Sequence, residues 1–373
     1  MLRDTGSSVR IYSLASSLAA MGHQVRIVIP KAKPAEELTD GVIVQGVSGI
    51  TPKAVLRIFS KLLGVSRPTA LFFYDLFFIS LVGRIIQDCD LVQVEQQSVA
   101  VPFIPLIRIL KKPLVLDCHD VFQALRVRHT NAFRKMLETF LEKVAYKSAD
   151  LILTVSENEK QCLVSRRIGE DKIATIPNGV NTEIFSRGEH CRSRTALKGY
   201  RTVIFVGNME YLPNKEAVHL IETEIAPKVK KAVPNVRFLV VGRADNSMKS
   251  ENLVFAGVVN NVVDFLATSN VAIAPLLHGS GTRLKILEYF SCGLPVVSTS
   301  VGVEGLDVKN GVHVFIEDDL NEFAAKVIRL LEDKATSERV GKAARDLVAT
   351  KYDWKKVVKY LNEIYVDLLL GYA

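Results

Sequence analysis

The amino-acid sequence predicts an α/β protein with two doubly wound parallel sheets, one in each half of the chain. The length of 373 residues exceeds what one ordinary core holds and favours two domains. Short apolar runs, such as Val25–Ile29 and Pro113–Asp117, alternate with segments whose apolar residues recur at helical spacing. Such alternation is typical of parallel sheets that carry helices on both faces.

The first half predicts a helix through Ile11, Leu14 and Leu18, followed by several short strands. The predicted strands are 25–29, 41–47, 90–95, 113–117 and 151–156, and a helix is predicted over 132–147. A doubly wound domain usually opens with a strand, yet here a glycine-containing turn stands at residues 4–8. We therefore expect the first strand of this domain to be missing from the sequence.

The second half repeats the alternation of strands and helices. The predicted strands are 203–206, 236–241, 254–256, 271–275, 295–298 and 312–316. The predicted helices are 215–231, 262–267, 282–291, 320–332, 337–350 and 354–370. The turn-forming residues 177–179 mark the junction. The expected division is an N-terminal domain over 1–180, a C-terminal domain over 181–352, and a C-terminal helix over 353–373 that could dock on either domain.

Composition excludes several classes of protein. Apolar residues make up 48% and charged residues 24%, which is typical of a folded globular chain and not of a disordered one. The net charge of +8 is scattered and lacks the signatures of nucleic-acid binding, so we expect no nucleic-acid partner. The basic excess fits anionic substrates, peripheral contact with an anionic membrane surface, or simply a solvated basic surface.

Cysteine usage and hydropathy bear on the compartment. The five cysteines are odd in number and widely spaced, which favours a reducing compartment and a cytoplasmic location. The most apolar stretch, 70–86, is interrupted by Asp75 and Arg84 and is shorter than the ~20 residues that a membrane span needs. It predicts a buried helix, with a helix that docks in the membrane interface as the alternative.

The strongest candidate site begins where a predicted strand ends at Pro275. A turn follows and opens a helix; its residues are Gly279, Ser280, Gly281 and Thr282. Glycines let backbone N–H groups approach a ligand, and a helix N-terminus attracts anions. Arg283 and Lys285 fall in the first helical turn, where cations are unfavourable unless an anion is bound. Glu288 lies deeper, where a carboxylate could bind a ribose diol; the alternative is a surface ion pair with one of the two cations.

This segment and motifs along the rest of the chain resemble glycosyltransferase family 4, whose members have the GT-B fold. The other matching residues are Gly6 with Arg10 and Tyr12, Gly22–Val25, Asp117–Asp120, Thr154–Glu157, Ile176–Asn181 with Phe185, Val206–Met209, Gly242, Gly257 and Val301–Leu306. The resemblance implies two Rossmann-like domains that face each other across a cleft. It also implies transfer of a hexosyl unit, with retention of configuration, from a UDP- or GDP-sugar to a hydroxyl of a glycan, glycolipid or polysaccharide precursor.

The resemblance assigns roles to residues outside the glycine turn. His119 would contact the donor sugar, although it could instead be bonded to Asp117 or Asp120 in a structural turn. Donor contacts are further implied for Gly6, Gly207, Asn208 and Glu304. Gly6 could instead be a plain turn glycine, and Glu304 could lie in its turn without touching the donor. Arg10 and Glu95 are candidates for the acceptor side, with a surface arginine and a rim carboxylate as alternatives. No Asp-x-Asp metal motif is present, so we expect no metal and no cofactor.

Three positions depart from the family pattern. Ser280 stands where the family carries an acid that touches the donor sugar. Asn208 and Pro213 stand where an arginine and a lysine usually help to hold the diphosphate. Because a departing diphosphate needs cations, we expect Arg283 and Lys285 to have taken over that task. The Gly-Ser-Gly-Thr-Arg-Leu-Lys version resembles a subgroup of bacterial and archaeal members.

Two other functions fit the same sequence. A nucleotide-sugar epimerase of the same fold would bind the same donor and need no acceptor. A catalytically silent nucleotide-sugar-binding protein would bind the donor without turnover. The fold alone does not separate these functions from a transferase, because one fold can host several activities.

Overall fold

The computed structural model describes residues 6–30, 35–47, 76–119, 132–186, 199–243, 250–279 and 281–372. The chain divides into two compact units. Unit 1 contains residues 1–177 and 358–373, and unit 2 contains residues 178–357. Each unit has its own sheets and its own apolar core.

Unit 1 holds seven described strands in two sheets. The strands are β1 Val25–Pro30, β2 Ala35–Thr39, β3 Val42–Val47, β4 Val92–Glu95, β5 Leu114–Cys118, β6 Leu151–Thr154 and β7 Ile173–Thr175. One sheet has the order β1-β3-β2 and the other has the order β4-β5-β6-β7. The second sheet is entirely parallel, as the alternation of strands and helices predicts.

The hairpin of β2 and β3 departs from the predicted all-parallel arrangement. These two strands are antiparallel and are joined by Asp40 and Gly41, both with positive φ. Two consecutive positive φ values define the tight hairpin turn that an Asp-Gly pair favours, so this dipeptide was the available sequence signal. The strand predicted over 41–47 is β3, whereas β2 was not predicted.

The helices of unit 1 cover its sheets. They are α1 Gly6–Ala20, α2 Leu76–Gln87, α3 Gln97–Ala100, α4 Ile104–Ile109, α5 Ala132–Ser148 and α6 Glu157–Ser165, with 3-10 turns at Val101–Phe103 and Glu170–Lys172. The helix predicted within 70–86 corresponds to α2, in which Phe78, Val82 and Ile86 are buried at four-residue spacing. Residues 70–75 lie outside the described residues. None of the helices that the structure describes is both long enough and apolar enough to span a membrane.

The described part of unit 2 forms one sheet of six parallel strands. They are β8 Arg201–Val206, β9 Val236–Val241, β10 Leu253–Gly257, β11 Val271–Ala274, β12 Val296–Ser298 and β13 Phe315–Ile316. Their order is β10-β9-β8-β11-β12-β13, so the first strand along the chain is central and the connections reverse direction between β8 and β11. This order is that of a Rossmann fold, and it confirms the doubly wound sheet predicted for the second half.

The helices of unit 2 agree with the sequence pattern except near three starts, one of which lies at Lys334, three residues before the predicted Ser337. They are α7 Leu212–Leu220, α8 Ala226–Ala232, α9 Val262–Ala267, α10 Leu284–Ser291, α11 Leu320–Glu332 and α12 Lys334–Leu347, with π-helical turns at Ile221–Ile225 and Val348–Tyr352. The first helix begins three residues before the predicted Lys215, because Pro213 fits a first helical turn. Helix α10 begins at Leu284, two residues after the predicted Thr282, because the backbone of Arg283 is extended.

The last helix, α13 Trp354–Tyr372, has most of its length in unit 1, which decides between the two docking possibilities. Its residues bond to three parts of that unit. Asn362 lies 2.6 Å from His23, the hydroxyl of Tyr372 accepts from Arg108 at 2.7 Å, and the hydroxyl of Tyr365 donates to the amide oxygen of Gln93.

The loops after β8 and β9 approach each other closely at two glycines. Gly242 has φ +133°, a backbone conformation that L side chains rarely adopt. A Cβ atom at this position would overlap the carbonyl oxygen of Gly207. Because Gly242 has no side chain, the backbone at Gly207, directly after β8, can pack against the loop after β9.

We expect Gly242→Ala to destabilise unit 2 by about 2–5 kcal/mol, because backbone strain and overlap with a carbonyl oxygen add. Gly311→Ala is the matched control, since Gly311 also has positive φ (+72°) but no atom of a described residue lies within 4 Å of its Cβ position. The control should cost about 1–2 kcal/mol. Thermal and urea unfolding measure the free energy of unfolding of both variants. Equal losses of stability would contradict the prediction that overlap with Gly207 adds to the cost of Gly242→Ala.

Candidate active site

The candidate site of unit 2 lies where β8 and β11 end side by side. Open α/β sheets bind ligands beyond the carboxyl ends of the strands at the point where the connections reverse direction. Gly207 and Asn208 follow β8, and the glycine turn follows β11. Gly279 and Gly281 have φ of +131° and +71°, so both use conformations open to glycine. The sequence-predicted residues thus meet at one edge of the sheet.

Arg283 lies against the glycine turn. Its guanidinium donates to the carbonyl oxygen of Gly281, and a Cβ atom at position 279 would lie 3.0 Å from its Nη2. Arg283 is also the residue that precedes the first turn of α10, and it is partly buried. The lack of a side chain at Gly279 therefore makes room for a cation beside the start of a helix.

Lys285 occupies the first turn of α10 and is held by uncharged partners. Its Nζ donates to the side-chain oxygen of Asn214 at 2.7 Å and lies 4.1 Å from the ring centre of Phe205. The amide nitrogen of Asn214 in turn donates to the carbonyl oxygen of Asn208 at 2.9 Å. Lys285 is therefore fixed over the end of β8, and no described residue forms a direct ion pair with it.

Asn214 is a site residue that the sequence reasoning missed. It is 7% exposed and links Lys285 to the loop after β8. The available signal was its place, seven residues after Gly207 and directly behind Pro213 at a helix start. The pattern gave no reason to separate it from other polar residues in a first turn.

Glu288 lies one turn beyond Lys285 on α10 and is partly buried. Among the described residues, no hydrogen bond or ion pair engages its carboxylate, so the alternative of a surface ion pair is not observed there. Loss of contact with water raises the pKa of Glu288 to about 7, although Lys285 acts to lower it.

Desolvation and the charge of Arg283 lower the pKa of Lys285 to about 7, although Glu288 acts to raise it. Two cations side by side are unfavourable for each other in the absence of a ligand. An anion placed beside both would remove this repulsion and restore the full charge of Lys285. The site is therefore electrostatically arranged for an anionic group.

Two further bonds fix the helix that carries these residues. The hydroxyl of Tyr289, on α10, accepts from the backbone N–H of Val206 at 2.7 Å, which ties the helix to the end of β8. Thr282 accepts from the side-chain amide of Asn178 at 2.6 Å. Glu304 lies in the turns after β12 and is partly buried, and Ser280 lies outside the described residues.

Unit 1 carries a second group of charged side chains at the carboxyl ends of β4 and β5. Arg10 is 1% exposed, donates to both carboxylate oxygens of Asp117 at 2.9 and 3.0 Å, and donates to the carbonyl oxygen of Ile176 at 2.9 Å. The interpretation of Arg10 as a surface residue is therefore wrong. Paired bonds of this geometry are among the strongest between side chains. Gly6, by contrast, is the exposed first residue of α1.

His119 follows β5 and has one ring nitrogen between two carboxylates. Its Nε2 is hydrogen-bonded to Glu95 and lies 3.6 Å from Asp117. Burial acts to lower the pKa of His119, but the bonds and charges of Asp117 and Glu95 outweigh it and raise the pKa to about 9. Burial acts to raise the pKa of Asp117, but Arg10 and His119 lower it to about 2. His119 is therefore an imidazolium at neutral pH.

Among the described residues, one group has the ligand types and the spacing that could hold a metal ion. Glu95, Asp117 and His119 each offer an atom within 4.8 Å of the others. Arg10 already donates to both oxygens of Asp117, and the Nε2 of His119 is already hydrogen-bonded to Glu95. We therefore interpret the group as a hydrogen-bonded charge network.

Comparison with known families covers both units. The model described as Glycosyltransferase Family 4 matches residues 5–184, and the model described as Glycosyl transferases group 1 matches residues 200–333. Among curated proteins, the chain is 24% identical over 267 residues to the UDP-Gal:alpha-D-GlcNAc-diphosphoundecaprenol alpha-1,3-galactosyltransferase of Escherichia coli, which covers 67% of each chain. It is 27% identical over 246 residues to the N-acetyl-alpha-D-glucosaminyl L-malate synthase of Bacillus anthracis, which covers 61% of this chain and 62% of that protein.

Solved structures show the same fold at low sequence identity. Anabaena HepE in complex with UDP has a TM-score of 0.75 and 14% identity, and the alignment covers 98% of both chains. The sucrose-phosphate synthase of Thermosynechococcus elongatus has a TM-score of 0.71 and 18% identity, with 98% of this chain and 94% of that chain covered. These structures show that the chain has the GT-B fold. The two family models, which together match most of the chain, lead to one conclusion: the chain belongs to glycosyltransferase family 4 and is a glycosyltransferase.

Proposed function

We propose that this glycosyltransferase moves a hexosyl unit from a nucleoside diphosphate sugar to an acceptor hydroxyl, with retention of anomeric configuration. The observation that carries the proposal is the pair of cations at the start of α10. Arg283 and Lys285 lie beside a glycine turn at the reversal point of a parallel sheet, where backbone N–H groups and the helix N-terminus also favour an anion.

The diphosphate is the leaving group of the proposed reaction. The bond between the anomeric carbon and the phosphate oxygen breaks, and a bond from that carbon to the acceptor oxygen forms. The acceptor proton passes to the departing phosphate, so atoms and charge balance. Arg283 and Lys285 stabilise the negative charge that grows on the diphosphate as the sugar leaves. Retention follows the mechanism that the family resemblance implies.

Glu288 is proposed to bind the ribose of the donor. Its carboxylate is partly buried one turn from Lys285 and has no partner among the described side chains. A ribose offers two adjacent hydroxyl donors, which a single carboxylate can accept together. In unit 1, His119 is proposed to donate a hydrogen bond to an oxygen of a substrate sugar.

The donor and acceptor classes rest on the relatives. The Escherichia coli relative is named for UDP-galactose and a lipid diphosphate acceptor, and HepE was solved with UDP and with UDP-glucose. We propose a UDP- or GDP-hexose donor and a glycan, glycolipid or polysaccharide precursor as acceptor. The basic net charge of +8 supports the further proposal of peripheral contact with an anionic membrane on its cytoplasmic side.

The donor proposal predicts that nucleoside diphosphates and their sugars raise the melting temperature of the protein. At a ligand concentration about 100 times the Kd, the gain in stability is about 2.7 kcal/mol. Glu288→Ala and Arg283→Ala should each weaken binding about 10- to 100-fold, since each removes a bond to or from a charged group. Lys334→Ala is the control, because this lysine is 87% exposed and pairs only with Glu338 among the described residues. If the wild type, the two site variants and the control all bind equally well, Arg283 and Glu288 do not belong to the donor site.

Incubation with donor sugars separates the proposed transferase from its two alternatives. A transferase releases nucleoside diphosphate and consumes an added acceptor, and the anomeric coupling constant of the product reports retention. An epimerase changes the sugar of the donor without any acceptor. A silent binding protein shows stabilisation without turnover.

Binding of a nucleoside diphosphate should weaken as the pH rises above 7. Without ligand, Lys285 loses its proton near pH 7, and the bound anion raises the pKa of this amine because it stabilises the charged form. Binding therefore takes up protons above pH 7, and the Kd of UDP or GDP should rise by up to about tenfold per pH unit. Calorimetry in two buffers of different ionisation enthalpy measures the uptake, and Lys285→Met should abolish it.

Transfer should persist after chelation with EDTA, because side-chain cations take the place that a metal ion would fill beside the diphosphate. The measurement is the initial rate before and after chelation, with Mg²⁺ or Mn²⁺ added back. A loss of rate that either ion restores would show that Arg283 and Lys285 do not stabilise the diphosphate without a metal ion.

A further inference from the structure

The ring of His119 is fixed from one side only. Its Nε2 bonds to Glu95, whereas its Nδ1 is buried and has no hydrogen-bond partner among the described residues. The side chain is 9% exposed. A buried polar atom without a partner is costly and marks a place where a further group can bind. Nδ1 is therefore the nitrogen available to a ligand oxygen.

Glu95 is itself held in place by a chain of donors. Its other carboxylate oxygen accepts from the amide nitrogen of Gln93 at 2.7 Å, and the amide oxygen of Gln93 accepts from the hydroxyl of Tyr365 on α13. The carboxylate accepts only, so Gln93 must turn its nitrogen towards Glu95 and its oxygen towards Tyr365. Each group in the chain has one permitted orientation.

The four charged groups around His119, including its own ring, form two ion pairs. Arg10 neutralises Asp117 through two direct bonds, and both groups are buried. Glu95 then supplies the negative charge that matches a proton on His119. Tyr365 is also close and is buried, and burial together with Asp117 and Glu95 raises the pKa of its hydroxyl far above the usual range, so it stays neutral. Removal of the Glu95 charge would leave His119 with Asp117, which lies 3.6 Å from its Nε2 and already pairs with Arg10.

We infer that Glu95 is a positioning residue, which holds His119 doubly protonated with Nε2 on its carboxylate and Nδ1–H as the donor to a substrate oxygen. The inference deepens the proposed function, because it assigns His119 the role of a charged donor and excludes a role as a general base. It also gives Glu95 a task different from the acceptor contact that the sequence suggested.

The test compares Glu95→Gln with Glu95→Asp in protein labelled with ¹⁵N-histidine. In the wild type, His119 should keep its charge to about pH 9. Glu95→Gln retains the shape and removes the charge, so the pKa of His119 should fall by about 1–3 units. Glu95→Asp keeps the charge but shortens the side chain, so His119 should stay charged while its ring is no longer fixed. The signal is assigned by its loss in His119→Asn.

Rates of transfer provide the second readout. At pH 8, Glu95→Gln should lower kcat/KM about 10-fold or more, and the rate should recover towards pH 6 as His119 regains its proton. Glu95→Asp should lower the rate equally at both pH values. Glu170→Gln is the control for a lost surface charge, since Glu170 is 63% exposed and pairs with Lys160. It should change neither the titration nor the rate.

The outcomes separate this inference from the proposed function. A His119 pKa that stays unchanged in Glu95→Gln overturns the positioning role, whatever reaction the enzyme catalyses. A shifted pKa with no transfer in the wild type supports the network and refutes the transferase reaction. A flat pH profile for Glu95→Gln, despite a shifted pKa, overturns the role of Nδ1–H as a donor to substrate.

Discussion

The repulsion between Arg283 and Lys285 at the start of α10 is the constraint on which the candidate site depends. Cations at a helix N-terminus oppose the helix dipole, and here they also oppose each other. The fold keeps them there by supplying uncharged partners: the carbonyl oxygen of Gly281, the side-chain oxygen of Asn214 and the ring of Phe205. The bond from Tyr289 to the end of β8 prevents the helix from moving away. The unfavourable charge is thus held in place, as the proposed binding of an anionic ligand requires.

Glycine conformation is the second requirement of this site. A side chain at position 279 would meet the guanidinium of Arg283, and a side chain at position 242 would meet the backbone of Gly207. Both positions have φ values that L residues rarely adopt. The loops after β8, β9 and β11 therefore reach the same edge of the sheet because these glycines leave space for backbone and for a cation.

The charged side chains of unit 1 are arranged differently: opposite charges are paired, whereas in unit 2 two cations lie side by side. Buried charges are costly unless they are paired and hydrogen-bonded, and here each has a partner. Arg10 is matched to Asp117, and His119 is matched to Glu95. In the resulting network, the Nδ1 of His119 has no hydrogen-bond partner among the described residues. Pairing of the buried charges thus engages Nε2 and leaves Nδ1 as the atom that we propose to contact a ligand.

The sequence by itself determined the alternation of strands and helices, the division into two α/β units, and the glycine turn with cations at a helix start. These features depend on spacing along the chain, as in the run from Gly279 to Glu288. Only the tertiary structure decided the partners of Arg10, the place of Asn214 beneath Lys285, and the chain from Tyr365 through Gln93 to Glu95. Those contacts join residues up to 272 positions apart, and hydrogen bonds over such separations arise from packing and leave no periodic signal in the sequence.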